Sequence, residues 1–161
     1  MGYTTEFTGK ITFEKTIPAE VVEYVNAFSH TRRMKRNNSL IKRIFPDWAK
    51  FTFNGSLGID GEYFVRKDDI ENFGQDRDAT IVDYDTPPST QPGLWCHWII
   101  KDNCLMWNGA EKFYDYIEWL QYLLDNFLSP YIANGEISWQ GEDAEDNGII
   151  SVSNNVIDEL H

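Results

Sequence analysis

A chain of 161 residues with 42% apolar and 15% aromatic side chains is long enough for one packed domain and too rich in bulky apolar mass to stay disordered. No apolar run approaches the roughly 20 residues that span a bilayer, and residues 1–15 lack the charged-then-apolar pattern of a secretion signal. A net charge of −12 argues against direct binding to nucleic acid or to anionic membrane surfaces and favours basic partners. The expectation is a single globular domain, residues 1–161, in the cytoplasm.

Taken in chain order, residues 4–14 alternate as a strand, with Phe7, Ile11 and Phe13 on one face. Pro18 opens a helix whose stripe is Val21, Val25 and Phe28, and the run Asn37-Asn38-Ser39 offers the cap for a short second helix over 40–45. Strands are predicted at 50–54 and 62–65 around Gly55, Gly58 and Gly61, followed by an irregular stretch, 66–93, holding a short strand at 80–84. Residues 94–100 and 104–107 read as a hairpin with Ile100 facing Cys104. Asn108 and Glu111 then read as a capping box for a helix over 110–128, with Phe113, Ile117, Leu120, Leu124 and Phe127 inward and Glu118 off the stripe. A last hairpin joins 135–140 to 148–154. These elements predict an α+β fold, an antiparallel sheet with two main helices packed on one face.

Charge is laid out unevenly. Residues 1–46 carry eight Lys/Arg against four Asp/Glu, and residues 47–161 carry six against twenty-two. Between Glu23 and Asp47 lies no carboxylate, yet Arg32, Arg33, Lys35, Arg36, Lys42 and Arg43 all fall there. Such a strip either binds an anion, with His30 joining Arg32, Arg33, Lys35 and Arg36, or docks onto the protein's own carboxylates. Both readings stand at this level.

Catalytic signatures are absent: there is no nucleophile elbow, phosphate loop or zinc helix. Cys96 and His97 are neighbours in a predicted strand and so point to opposite faces, and no disulfide or cofactor is expected. Asp76, Asp78, Asp83 and Asp85 are the only carboxylates grouped closely enough to suggest a cation site or acid–base work, and Arg77 among them points rather to ion pairing. Tyr114, Trp119 and Tyr122 leave the long helix's apolar stripe and form either an exposed interface patch or a buried contact. Glu142, Asp143, Glu145 and Asp146 crowd the tip of the last hairpin and suit a basic protein.

Several segments carry a resemblance: Met1-Gly2-Tyr3-Thr4-Thr5, Ala27-Phe28-Ser29-His30-Thr31-Arg32-Arg33-Met34-Lys35-Arg36, Gly61-Glu62-Tyr63-Phe64-Val65, Gly74-Gln75-Asp76-Arg77-Asp78, Gln91-Pro92-Gly93-Leu94-Trp95-Cys96, and Glu111-Lys112-Phe113-Tyr114 through Glu118-Trp119-Leu120. The chain resembles a family of uncharacterised small proteins found in bacterial and tailed-phage genomes. The resemblance implies a small cytoplasmic protein, in the host cytoplasm when phage-encoded, and brings no activity with it. The leading expectation is a non-enzymatic acidic interaction protein whose partner is a protein, in a phage setting a host defence protein. An anionic small-molecule binder, such as a nucleotide binder using 32–43, is the alternative, and a small hydrolase or transferase using the 76–85 loop is the third.

Overall fold

The computed structural model describes residues 4–160; Met1, Gly2 and Tyr3 of the opening motif and His161 lie outside them. In chain order the elements are β1 (Glu6–Phe13), α1 (Ala19–Ser29), β2 (Lys35–Arg36), α2 (Asn38–Ile44), β3 (Ile81–Asp83), β4 (Trp98–Lys101), β5 (Cys104–Trp107), α3 (Tyr116–Leu123), β6 (Ala133–Gln140), β7 (Asn147–Ser153) and β8 (Val156–Leu160). The chain divides into two compact units, residues 1–22 with 97–161, and residues 23–96.

The first unit is a six-stranded antiparallel sheet in the order β4-β5-β1-β6-β7-β8. Alternation along β1 buries Phe7, Ile11 and Phe13, as their spacing predicts, and leaves Thr8, Lys10 and Thr12 exposed on the opposite face. Phe7 is the hub of an aromatic cluster, edge-on to Trp98, Trp107, Phe113 and Tyr116 at centroid distances of 5.0–5.7 Å. Helix α3 lies over this face: the Trp98 indole N–H donates to the Tyr116 carbonyl at 2.9 Å, and the Tyr116 ring is 6.1 Å from that of Trp139. Burial and nearby carboxylates push the Tyr116 phenol up to about 12.

The α+β class holds, but the arrangement of two main helices packed on one face does not. The described residues form three main helices, and α2 belongs to the second unit. The predicted 110–128 helix begins only at Tyr116, because Lys112 and Asp115 take left-handed backbone (φ 58° and 57°) and interrupt it. Asn108 Oδ1 accepts from the Ala110 N–H in a local turn in place of the capping box. The helix then widens into a π turn, Leu124–Leu128; of the predicted stripe Phe113, Leu120, Leu124 and Phe127 are buried and Ile117 is half-buried.

The β4–β5 hairpin turns on Asp102-Asn103, both at positive φ, and sets Ile100 opposite Leu105 rather than Cys104. Both cysteines are buried free thiols: Ser29 Oγ donates to Cys96 Sγ at 3.6 Å, and the Cys104 thiol donates to the Asp102 carbonyl at 3.4 Å. The same turn chemistry recurs at Asn154-Asn155 (φ 48° and 68°), which folds a further strand, β8, back onto β7. That strand extends the sheet beyond the predicted last hairpin.

Strands β1 and β6 approach each other unusually closely. Gly9 has φ +107°, and a Cβ there would sit 2.7 Å from the Glu136 carbonyl oxygen; Gly135 mirrors it, 2.8 Å from the Lys10 carbonyl. Gly9→Ala is therefore expected to cost about 1–3 kcal/mol through forced backbone shifts. Thermal unfolding would read this, and an unchanged midpoint would mean that the close approach is not required.

In the second unit, the predicted strands at 50–54 and 62–65 are not formed. A 3-10 turn, Trp48–Phe51, and one isolated bridge, Phe53 to Ser56, replace the first. Aromatic packing explains this: Phe45, Trp48 and Phe51 close over Ile41, Leu57 and Phe64, and a turn brings those rings to one side where a strand would alternate them. Of the three residues that could cap the second helix, Asn37 does so, accepting from the Leu40 N–H at 3.0 Å, and the helix begins at Asn38. The short strand predicted at 80–84 is β3, which pairs with β2.

Candidate functional site

The basic run lies in the second unit, where residues 32–36 are turned inward, while Lys42, its ammonium 5.1 Å from the centre of the Trp48 ring, and Arg43 are exposed. Arg33, 2% exposed, donates from Nη2 to the Glu62 carbonyl at 2.6 Å and lies 4.1 Å from the centre of the Phe28 ring. Arg36, 3% exposed, donates from Nη1 to Asp78 at 3.0 Å and to Thr80 Oγ1 at 2.8 Å. Arg32 stacks on Tyr84 at 4.2 Å, donates from Nε to the Tyr84 carbonyl and pairs with Asp85 at 3.1 Å. Lys35 is half-buried opposite Asp83 in the β2–β3 pair. His30 Nδ1 is 2.9 Å from the Asn26 carbonyl, and its ring stacks parallel to Phe73. Within the basic run, Arg32 and Arg36 thus pair with the protein's own carboxylates.

The centre of this arrangement is Asp78. Its Oδ2 receives Arg36 at 3.0 Å and Arg66 at 2.9 Å, while Oδ1 receives the Thr80 N–H at 2.8 Å and the Thr80 hydroxyl. Burial alone would raise the Asp78 pKa, but the Thr80 hydrogen bonds and the Arg36 charge outweigh it and hold the carboxyl below its usual range. Burial pushes the Arg36 guanidinium down, with Asp78 opposing. Arg66 also grips Asp68 with two hydrogen bonds, 2.9 and 3.1 Å. In the sequence Asp78 is one of the four carboxylates that suggest a cation site, and Arg66 stands outside both that group and the basic run. Nothing in their spacing links them, since Arg36, Arg66 and Asp78 meet only when β2 and the 66–80 loop fold together.

The other acidic-loop residues have separate partners. Asp76 accepts from Asn72, Asp83 from the Asp85 N–H and the Thr86 hydroxyl, and Asp85 pairs with Arg32. The Asp85 N–H and the Thr86 hydroxyl hold the Asp83 carboxyl low. Among the described residues no group of three or more His, Cys, Asp and Glu side chains is placed to hold a metal ion. Among the described residues no helix is long and apolar enough to cross a membrane.

A hollow of about 270 Å³ is lined by Arg36, Asn38, Ser39 and Asp60. Arg36 Nη2 and Asn38 Oδ1 are buried without a hydrogen-bond partner in the structure. Buried polar groups of this kind are rare unless a water or ligand meets them.

The proposed interface residues separate. Trp119 is fully buried and Tyr122 8% exposed, so of the three aromatics only Tyr114, at 63%, is presented to solvent. Glu142, Asp143 and Glu145 are exposed at the β6–β7 tip, and Asp146 partly so. Glu142 Oε1 accepts from the Thr4 N–H, while Gln140 Nε2 donates to the Asp143 and Asp146 carbonyls and stiffens the tip. No Lys or Arg occurs after Lys112, so β6, β7 and β8 carry carboxylates alone. The chain matches no protein-family model, no curated protein and no solved structure.

Proposed function

We propose that this protein is a non-enzymatic acidic interaction module whose partner is a basic protein. The observation that carries the reading is the partition of charge. The cations of residues 32–36 are largely engaged within their own unit, while the β6–β8 end of the first unit holds only carboxylates, most of them exposed. A rigid, single-signed tip steers an oppositely charged partner and accelerates encounter. If the chain is phage-encoded, as some members of the family it resembles are, a host protein is the partner to seek.

Replacing Glu142, Asp143, Glu145 and Asp146 with Lys is expected to slow association with such a partner by about tenfold or more at low salt, leaving dissociation little changed. Salt-stepped capture from host lysate, followed by surface binding kinetics with the captured protein, measures this. Equal association rates for wild type and variant would remove the tip from the interface.

A small-anion site at Arg36 is the second reading, favoured by its partnerless Nη2 beside the hollow. Phosphate or a nucleotide raising the melting temperature of the wild type, with no captured partner, would reverse the order of the two.

A further inference from the structure

Among the described residues strand β8 is an edge of the sheet, hydrogen-bonded to β7 and to no other strand. Its turn, Asn154-Asn155, has two residues, so the flanking Ser153 and Val156 form a hydrogen-bonded pair and the pairs then alternate. Ile157 opposes Val152 in a non-bonded pair, and its N–H and C=O therefore face outward along the sheet edge. Glu159, two residues on, has the same orientation. Its N–H is held by the Asp158 carboxylate, Oδ1 at 3.0 Å.

Side chains on the open face of β8 read apolar, acidic, apolar: Val156 is 68% and Leu160 53% exposed, with exposed Asp158 between them. Beside them on β7 stand Ser153, Ser151 and Ile149, and on β6 Glu136. Natural sheets blunt exposed edges with charges, and Asp158 does so here by occupying a main-chain donor.

From this geometry we infer that β8 is a docking edge for an extended basic segment of another protein, which adds a seventh strand to the sheet. This rests on the interaction-module reading and names the partner's chemistry. A lysine or arginine opposite Asp158 draws the carboxylate to itself and releases the Glu159 N–H for the incoming strand's carbonyl. Apolar residues two positions to either side cover Val156 and Leu160. The recognised pattern is thus apolar-x-Lys/Arg-x-apolar, with main-chain pairing through Ile157 and Glu159. A second copy of this chain does not fit the edge. Antiparallel self-pairing centred on Asp158 sets two aspartates opposite each other, between chains that each carry a net −12.

The test uses the full chain and the peptide Thr-Val-Thr-Lys-Thr-Val-Thr, followed by NMR at low ionic strength. Expected are shifts and slowed hydrogen exchange at the Ile157 and Glu159 amides. Binding should fall about tenfold or more when Lys is replaced by Glu, because opposite charges become like charges across the strands. It should be lost when the two main-chain nitrogens flanking the lysine are methylated. Asp158→Asn should abolish the preference for Lys over Thr at the central position. Ile157→Pro should remove binding while keeping the fold, since an outward N–H is not used by β7; if that variant unfolds, the methylated peptide decides alone. No response at residues 156–160, or a response indifferent to methylation, overturns the inference. Loss of partner association on reversal of the 142–146 charges, with a silent β8, would sink only the edge and leave the interaction module standing.

Discussion

Asp78→Ala is expected to cost about 3–5 kcal/mol, the range for stripping one partner from a buried ion pair. Its side chain is 19% exposed and is shared by Arg36 and Arg66, whose side chains are 2% and 10% exposed. Removing it leaves Arg36 inside the unit without a carboxylate and takes two acceptor positions from Thr80. Asp85→Ala supplies the contrast. That carboxylate also pairs with an arginine, at 3.1 Å, but is 84% exposed, so its loss should stay within about 1 kcal/mol. Chemical denaturation of the two variants measures the difference, and similar losses would mean that burial of the Asp78 cluster is not what matters.

The same cluster sets a pH dependence. The folded pKa of Asp78 is lowered, and so is that of Asp68, chiefly by its hydrogen bonds from Arg66 with burial opposing. A carboxyl with a depressed folded pKa binds fewer protons folded than unfolded. Its contribution is therefore fully present above the unfolded value, about 3.9, and lost as pH falls through the folded value. Stability of the wild type should decline on acidification below about pH 4, and Asp78→Ala should flatten that decline. A variant with the wild-type acid limb would assign the dependence to other carboxylates.

Leu120→Ala is expected to cost about 2–5 kcal/mol, because Leu120 is fully buried on α3 and its truncation opens a cavity in a packed face. Glu118→Ala, two residues away and exposed, should remain within about 0.5 kcal/mol. Equal effects in thermal and denaturant unfolding would show that this helix buries a different face.

How far these features were legible depended on the range of the forces behind them. Strand β1, the start of α1 after Pro18, the Asn37 cap and the inward stripe of α3 follow from periodicity and local hydrogen bonding, which act within a few residues. Strand β8 carried a local signal as well, the Asn154-Asn155 pair between apolar residues, which is the kind of sequence that populates positive φ at both central positions of a turn.

The capping-box signature at Asn108 and Glu111 misled because an Asx turn to Ala110 used the same side chain, and left-handed Lys112 and Asp115 delayed the helix. The predicted strands at 50–54 and 62–65 gave way to turns because Phe45, Phe51 and Phe64 gain more from packing round Ile41 than from alternating in a sheet. Composition and periodicity by themselves determined the α+β class, the antiparallel sheet and an acidic body with one basic run. Only the tertiary structure decided that Arg36 and Arg66 share Asp78, that Trp119 and Tyr122 are buried, and that the acid-only end of the sheet finishes in an open edge. Each of those outcomes depends on which residues distant in sequence arrive at one place, and neither charge counts nor periodicity carries that information.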